Sequence, residues 1–536
     1  MNDSGRESFT ISGALVIDDA RVEQLDVDVA DGRIVGLRGH QHPDSTADRG
    51  GFHQVVDGRG RVLVPGFIDL HAHSAIRLFS DPELAPKIAS GFTTELLCPD
   101  GLGPAPVRAE GIEDRRTYLA GLEPGAAPWD WTGLDSYLTS VDAARPSTNI
   151  VTCVPHSAVR EVVMGPANRQ PTRDELAEIQ QLVAECLDAG ARAVSFGLIY
   201  APGLYAQSEE LVAVAEVAAS YGVPVVPHIR NEASKILDSI NEFVSASKKT
   251  GAPLHISHLK LIGNRELLDR LMDLCTTAAD EIALTFDQYP YGAGSTLLSA
   301  LLPPHAFAEG SRGVLARVSD PGERRRMAAE IRNGIDGWEN ILGSVGPENV
   351  LIVQAAGDRA DDIGKTLAQI SDEQHCSPED AVFDLLVDTD LDAAMIDHYA
   401  TEEVVTSIFE HPLAMVGSDA VFAPRPHPRL YGTSARVLGR YAHRDRLISV
   451  QDAVRRMTSR PADLLGLTDR GRIAEGLRAD LVLLDLDEFV DTATYDDPCN
   501  LSPGVDTVFV GGVPTWRNGS HTGARNGHVL TAAPSH

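Results

Sequence analysis

Residues 62–73 read VLVPGFIDLHAH, an apolar run that ends in two histidines. Side chains two apart on a strand share a face, so His71 and His73 point the same way. An apolar strand that closes on ionisable side chains suits a parallel α/β barrel, where function collects at the C-terminal strand ends. Seven more runs of this kind follow: TTELLCPDG (93–101), NIVTCVPH (149–156), ARAVSFGLIY (191–200), VPVVPHIR (223–230), PLHISHL (253–259), IALTFDQYPY (282–291) and AMVGSD (414–419). Amphipathic helices lie between several of them, such as TRDELAEIQQLVAECLDAG (172–190) and SEELVAVAEVAASYG (208–222). Each opens on a Thr or Ser cap and closes on Gly. Strand–helix alternation of this kind predicts an α/β fold, and eight units make a (β/α)8 TIM-like barrel over residues 65–468. The stretch from about 297 to 350 is too long for a loop and one helix, and predicts an insertion between strands seven and eight.

The two ends of the chain have a different texture. FTISGALVIDD (9–19), QLDVDVADGRIVGL (24–37) and HQVVDGRGRVLVPG (53–66) alternate apolar and polar residues around DG and GRG turns. GLRADLVLLDLDEF (476–489) and GVDTVFVGGVPTWRNG (504–519) resume the pattern. One small β-sandwich assembled from both termini, residues 1–64 and 469–520, is expected. Residues 521–536 then form a polar tail, loose or packed back as an irregular loop.

Composition narrows the partners. With 46 Lys+Arg against 77 Asp+Glu, the 536-residue chain carries a formal charge of −31. That argues against nucleic acid, whose affinity comes from clustered cations, and against anionic membrane surfaces. No apolar run reaches the length of a spanning helix, and the start MNDSGRESFT lacks a basic segment followed by an apolar one. Six cysteines (98, 153, 186, 275, 376, 499) without paired spacing suit a reducing cytoplasm. The expected partner is a small-molecule substrate; the sequence leaves the oligomeric state open.

The chemistry sits at the ends of five predicted strands, which carry His71 and His73, Asp100, His228, His258 and Asp419. Alone, the HxH pair reads as a strand end with two surface histidines, and His228 or His258 as a hydrogen-bonded core residue. Together they form a donor set of imidazoles and carboxylates suited to Zn²⁺, with Mn²⁺, Fe²⁺ or Co²⁺ also compatible. A bound ion would acidify a water, and Asp419, in the turn GSDA, is the candidate general base and acid. No nucleophile elbow, phosphate-binding loop or dinucleotide fingerprint competes with this reading. His156 and Arg160 follow the third strand and read as structural.

The motifs HAH (71–73), GFTTELLCPDG (91–101), GLIYAPGLYAQSEEL (197–211), HIRNE (228–232), ISHLK (256–260), YPYGAGST (289–296), GSDA (417–420), HPRLYGTSARVLGRY (427–441) and RGRIAEGLRADLVL (470–483) span nearly the whole chain. In them the sequence resembles the N-acyl-D-amino-acid deacylases of the metal-dependent amidohydrolases. The resemblance implies a zinc-dependent barrel that cleaves the amide between an acyl group and a D-amino acid. It places His71, His73 and Asp419 at one metal position and His228 and His258 at a tighter neighbour, with one or two ions bound. Family members carry a Cys ligand in the turn after the second strand. Here the matching residue is Asp100, which is assigned as the ligand, and Cys98 is read as a buried strand thiol. Arg429 is the candidate anchor for the substrate carboxylate, since a guanidinium fork matches it. The resemblance adds Lys260, Tyr289 and Ser295 around the substrate, and Tyr205 and Arg230 are expected nearby. Apart from the resemblance, Tyr289 reads equally well as core and Lys260 as a solvated loop residue. A cyclic amidase is the alternative, but the predicted fourth strand lacks the lysine such enzymes carbamylate. A non-catalytic relative would be expected to have lost the histidines.

Overall fold

The computed structural model describes residues 8–40 and 54–531. The parts of the predicted β domain and tail at 1–7, 41–53 and 532–536 lie outside the described residues. Five strands come first: β1 (Phe9–Ile17), β2 (Val22–Ala30), β3 (Arg33–Gly39), β4 (Gln54–Asp57) and β5 (Val62–Pro65). Seven follow at intervals: β6 (Phe67–His73), β7 (Phe92–Leu97), β8 (Asn149–Pro155), β9 (Ala193–Gly197), β10 (Val225–His228), β11 (Leu254–Ile256) and β12 (Leu284–Gln288). Then come β13 (Ala293–Leu297), β14 (Val350–Ala355), β15 (Ala393–His398), β16 (Ala414–Val416) and β17 (Ala420–Val421). The last four are β18 (Leu481–Leu484), β19 (Val505–Val510), β20 (Val513–Arg517) and β21 (Ser520–His521).

Strands β6 to β12 pair in sequence order, all parallel. The eighth position is shared by two short strands. β16 pairs with β12, the strand is interrupted at Gly417–Asp419, and β17 pairs with β6, which closes the ring. Helices cover the outside, and the shared core runs through residues such as Leu96, Val154, Phe196, Val226 and Phe286. The fold is therefore the expected TIM-like barrel.

The opening run VLVPGFIDLHAH is the joint between the two parts of the molecule. It splits at Gly66 into β5, which belongs to the terminal sheet, and β6, the first barrel strand. A Cβ at Gly66 would lie 2.2 Å from Thr93 Oγ1, so only glycine lets the chain cross here.

The terminal sheet has the order β21-β20-β19-β18-β5-β1-β2-β3, with β4 beside β1. Phe9 of β1 and Phe509 of β19 stack at 5.1 Å although β5 and β18 lie between them. Flat strands would hold them about 14 Å apart, three spacings of roughly 4.8 Å. The sheet therefore curls over a core of its own, Ile11, Val27, Leu63, Leu481 and Leu483 included. The alternate residues Val62, Val64, Val482 and Leu484 face a second core shared with the barrel. The tail packs back: Ile150 N donates to His528 O and Leu530 N donates to Ile150 O, across the start of β8.

The insertion after strand seven runs further than 297–350. The whole of 289–413 lies between β12 and β16, and includes a three-stranded antiparallel sheet ordered β13-β15-β14. The apolar runs at 350–355 and 393–398 pair with each other and β13 instead of joining the barrel.

Candidate metal centre

Six side chains meet at the C-terminal mouth of the barrel. Their backbone explains how they turn inward: Asp100, His258 and Asp419 have φ of 56°, 32° and 49°. A left-handed residue just past a strand end swings its side chain across the mouth, at a cost of order 1–3 kcal/mol each that the surrounding structure must hold.

Two clusters result. His71 Nε2 lies 3.3 Å from Asp100 Oδ2 and 3.5 Å from Asp419 Oδ1. His73 Nε2 lies 3.6 Å from that Asp100 oxygen and 3.2 Å from that Asp419 oxygen. On the other side, Asp100 Oδ1 lies 3.6 Å from His228 Nδ1 and 3.3 Å from His258 Nε2. Asp100 thus gives one carboxylate oxygen to each cluster. Every member is buried. Asp100 Oδ1 and both His228 nitrogens have no hydrogen-bond partner, although unpartnered buried polar atoms are costly. Cys98 takes no part: burial pushes its thiol up to about 12, and it belongs to neither cluster.

A second layer orients these groups. Glu123 Oε1 lies 3.5 Å from His73 Nδ1. Asp287 accepts the His258 N–H at 2.8 Å and pairs with His255 Nε2 at 3.0 Å. Beneath the mouth the fully buried Lys87 donates to Asp69 Oδ2 at 2.7 Å and to Ser418 Oγ at 2.8 Å. Asp69 also accepts the Ser418 N–H at 2.7 Å, which clamps the broken eighth strand to β6. Arg429, itself buried, brings Nη1 to 3.0 Å from Asp419 Oδ2 and stacks over Tyr289 at 4.5 Å.

These contacts set the charge states. Burial alone would raise the Asp419 carboxyl, but Arg429 and the histidines hold it well below the usual carboxylate range. Burial likewise works against charge on His73, yet Asp419 and Glu123 hold the imidazole up at about 9. His228 goes the other way, pushed down by burial.

The clusters open into a narrow cavity that is partly open to solvent. Of the sequence-predicted substrate residues, Lys260, Tyr289 and Ser295 line it. Arg429 stands behind Asp419 and donates from Nη2 to the Ser295 carbonyl at 3.1 Å. Tyr205 is not brought to the cavity: its hydroxyl donates to Pro304 O at 2.8 Å and its ring packs under the insertion. Arg230 is likewise tied up, with Glu242 and the Leu204 and Ala206 carbonyls. Tyr200, from the same GLIYAPGLYA segment, is the tyrosine that faces in, with its ring 5.4 Å from His228. His156 and Arg160 share the buried Glu210, as structural residues do.

Sequence reading missed Glu232, Glu339 and Asp397. Glu232 pairs with Lys260 Nζ at 2.6 Å and lies 3.5 Å from His228 Nε2. Its place four residues after His228 was a usable signal. Glu339 and Asp397 come from the insertion, where no motif marks them.

A family model described as "Amidohydrolase family" matches residues 54–516. An N-acyl-D-aspartate deacylase of Alcaligenes xylosoxydans xylosoxydans is 30% identical over 529 residues, 97% of this chain and 94% of that protein. An N-acyl-D-glutamate deacylase of the same organism is 31% identical over 463 residues, 85% and 84% of the two chains. The crystal structure of the N-acyl-D-glutamate deacylase from Bordetella bronchiseptica, complexed with zinc and a phosphonate mimic of the tetrahedral intermediate, superposes with a TM-score of 0.82. It is 29% identical, with 98% of this chain and 99% of that one covered. A D-hydantoinase from a Bacillus species shares the fold, with a TM-score of 0.56 at 14% identity.

Proposed function

The chain belongs to the amidohydrolase family, in its N-acyl-D-amino-acid deacylase branch, and from that premise we propose that it hydrolyses N-acyl-D-amino acids to a carboxylate and a free D-amino acid. The observation that carries the reading is the Asp100 carboxylate, which offers one oxygen to each of two imidazole clusters. That donor set fits divalent zinc or a similar ion: imidazoles and carboxylates converge, buried, and several of their atoms have no protein partner. His71, His73, Asp100 and Asp419 would hold one position, and Asp100, His228 and His258 the other. When bound, such an ion supplies Lewis acidity, acidifying a water and polarising the scissile carbonyl.

The chain's own residues do the rest. Asp419 Oδ1 faces the histidines while Arg429 occupies Oδ2. It is therefore ionised and oriented to take a proton from the attacking water. It then returns that proton to the departing nitrogen, since an amine anion is too poor a leaving group to depart unprotonated. Arg429 is our candidate for the substrate's α-carboxylate, because its Nε has no hydrogen-bond partner in the protein. Tyr289, Ser295 and Lys260 flank it. The six cysteines are all free thiols, which suits a reducing, cytoplasmic setting, and among the described residues no helix is long and apolar enough to cross a membrane.

The test is a panel of N-acyl-D- and N-acyl-L-amino acids, assayed on a preparation whose metal content is measured. Turnover of the D series, lost with a chelator and restored by zinc, is expected. An active metal-free preparation, or turnover of the L series alone, overturns the proposal.

A further inference from the structure

Resting on the deacylase reading, we propose that the cavity selects a D-amino acid with a basic side chain, an amine or guanidinium, over acidic ones. Lys260 is the one cation among the cavity-lining residues, apart from the histidines of the two clusters, and its ammonium is already paired with Glu232 at 2.6 Å. An acidic side chain would therefore find no free counter-charge there. Arg429 stands behind the wall with Nη1 on Asp419 and Nη2 on the Ser295 carbonyl, and its remaining Nε is the group assigned to the substrate's α-carboxylate.

The insertion supplies the opposite charge. Glu339 and Asp397 both line the cavity, and both are more than nine-tenths buried. Glu339 Oε1 accepts the Glu232 N–H at 2.9 Å, but Oε2 has no partner. Among the described residues, no lysine, arginine or histidine nitrogen forms an ion pair with either carboxylate. The Glu339 carboxylate lies within 4.8 Å of a His228 ring nitrogen, beside the reacting centre. Room for Asp397 is built in. Its register partner on β13 is Gly294, where a Cβ would stand 2.7 Å from Asp397 Oδ1.

Two buried acceptors without a cation are an expensive arrangement, because a carboxylate taken out of water needs a partner. An ammonium or guanidinium entering the cavity supplies that partner, whereas a second carboxylate adds like-charge repulsion. Leu122, Ile199, Ile262 and Ile341 give the same cavity apolar wall for a methylene stem. The occupant is thus apolar along its stem and positive at its tip.

The experiment compares N-acetyl-D-lysine, -ornithine and -arginine with N-acetyl-D-leucine and N-acetyl-D-glutamate on the metal-loaded enzyme. The basic substrates are expected to lead in kcat/KM, by about tenfold or more over the acidic one. Asp397→Asn and Glu339→Gln should each raise KM for the basic substrates selectively and narrow their lead over D-leucine. A lead for D-glutamate or D-leucine in the wild type overturns the inference and leaves the deacylase reading intact. Equal losses on every substrate, with a fall in metal content, would show that these carboxylates hold an ion and also overturn it. If no N-acyl-D-amino acid turns over, the deacylase reading fails instead. Calorimetric binding of the same compounds then decides the charge preference: lysine above glutamate supports it, the reverse refutes it.

Discussion

The barrel mouth and the insertion wall face each other across one cavity, but they were built under different constraints. At the mouth, each functional side chain ends a parallel strand, so its position follows from strand periodicity and the closure of the ring. On the wall, Asp397 is placed by antiparallel pairing inside a separate sheet, and Glu339 by a loop whose carboxylate caps a backbone N–H. The mouth brings opposite charges together; the wall holds two carboxyl groups that have no ion-pair partner among the described residues. On the proposed reading, reaction chemistry rests on the barrel mouth and discrimination on the insertion.

The sharpest way to break that contrast is Asp419→Asn. The amide keeps the shape and left-handed backbone, since Asn tolerates that region, but cannot accept the proton. A kcat loss of about 10²–10⁴ is expected, the range for removing a positioned acid–base group. Circular dichroism should be unchanged. Wild-type-like turnover would remove the shuttle role from the mouth.

Lys87→Met tests whether the mouth is rigid because of what lies beneath it. The substitution strands Asp69 as a buried charge, while Asp69 keeps its contacts to Ser418. Breaking a buried pair this way costs about 3–5 kcal/mol, to be read from denaturant unfolding. A loss under about 1 kcal/mol, the range of an exposed pair, would mean the clamp is slack and the contrast with the wall overstated.

Much of the mouth was legible in the sequence because its signal is local. A strand that ends in His71-Ala72-His73, or in GSDA, carries its own marker, and the departure from Cys at position 100 pointed to the carboxylate that sits between the clusters. The insertion was legible only as excess length. Its strands pair with each other over separations of about forty to a hundred residues, contacts no periodicity encodes, so its extent to 413 and its two carboxylates stayed hidden. The misplacement of Tyr205 has a similar cause. Tyr200 and Tyr205 lie on the same loop after β9, and which one turns inward depends on whether Thr296 or the Pro304 carbonyl takes its hydroxyl.

Asp100→Asn asks whether the shared carboxylate joins the two clusters. Removing its charge should weaken metal retention at both, by more than the roughly 10–100-fold that an outer partner costs. Metal content after dialysis against a weak chelator measures it. Retention like the wild type's would mean the histidines suffice and Asp100 is a spacer.

The smallest effect expected is that of Glu123→Gln, and it separates a ligand from the group that aims it. Glu123 is not itself a member of either cluster; it reaches the outer ring nitrogen of His73, Nδ1, at 3.5 Å and ties its other oxygen to the Ile76 N–H at 3.2 Å. The glutamine keeps an acceptor for either N–H but gives up the negative charge that makes the imidazole a better donor. Metal affinity should fall about tenfold, the low end for such partners, as measured by chelator competition. With metal in excess, kcat should recover, because neither Asp419 nor Arg429 has been disturbed. A kcat that stays low at saturating metal would place Glu123 in the chemical step, and the mouth would then depend on its second layer as directly as on its ligands.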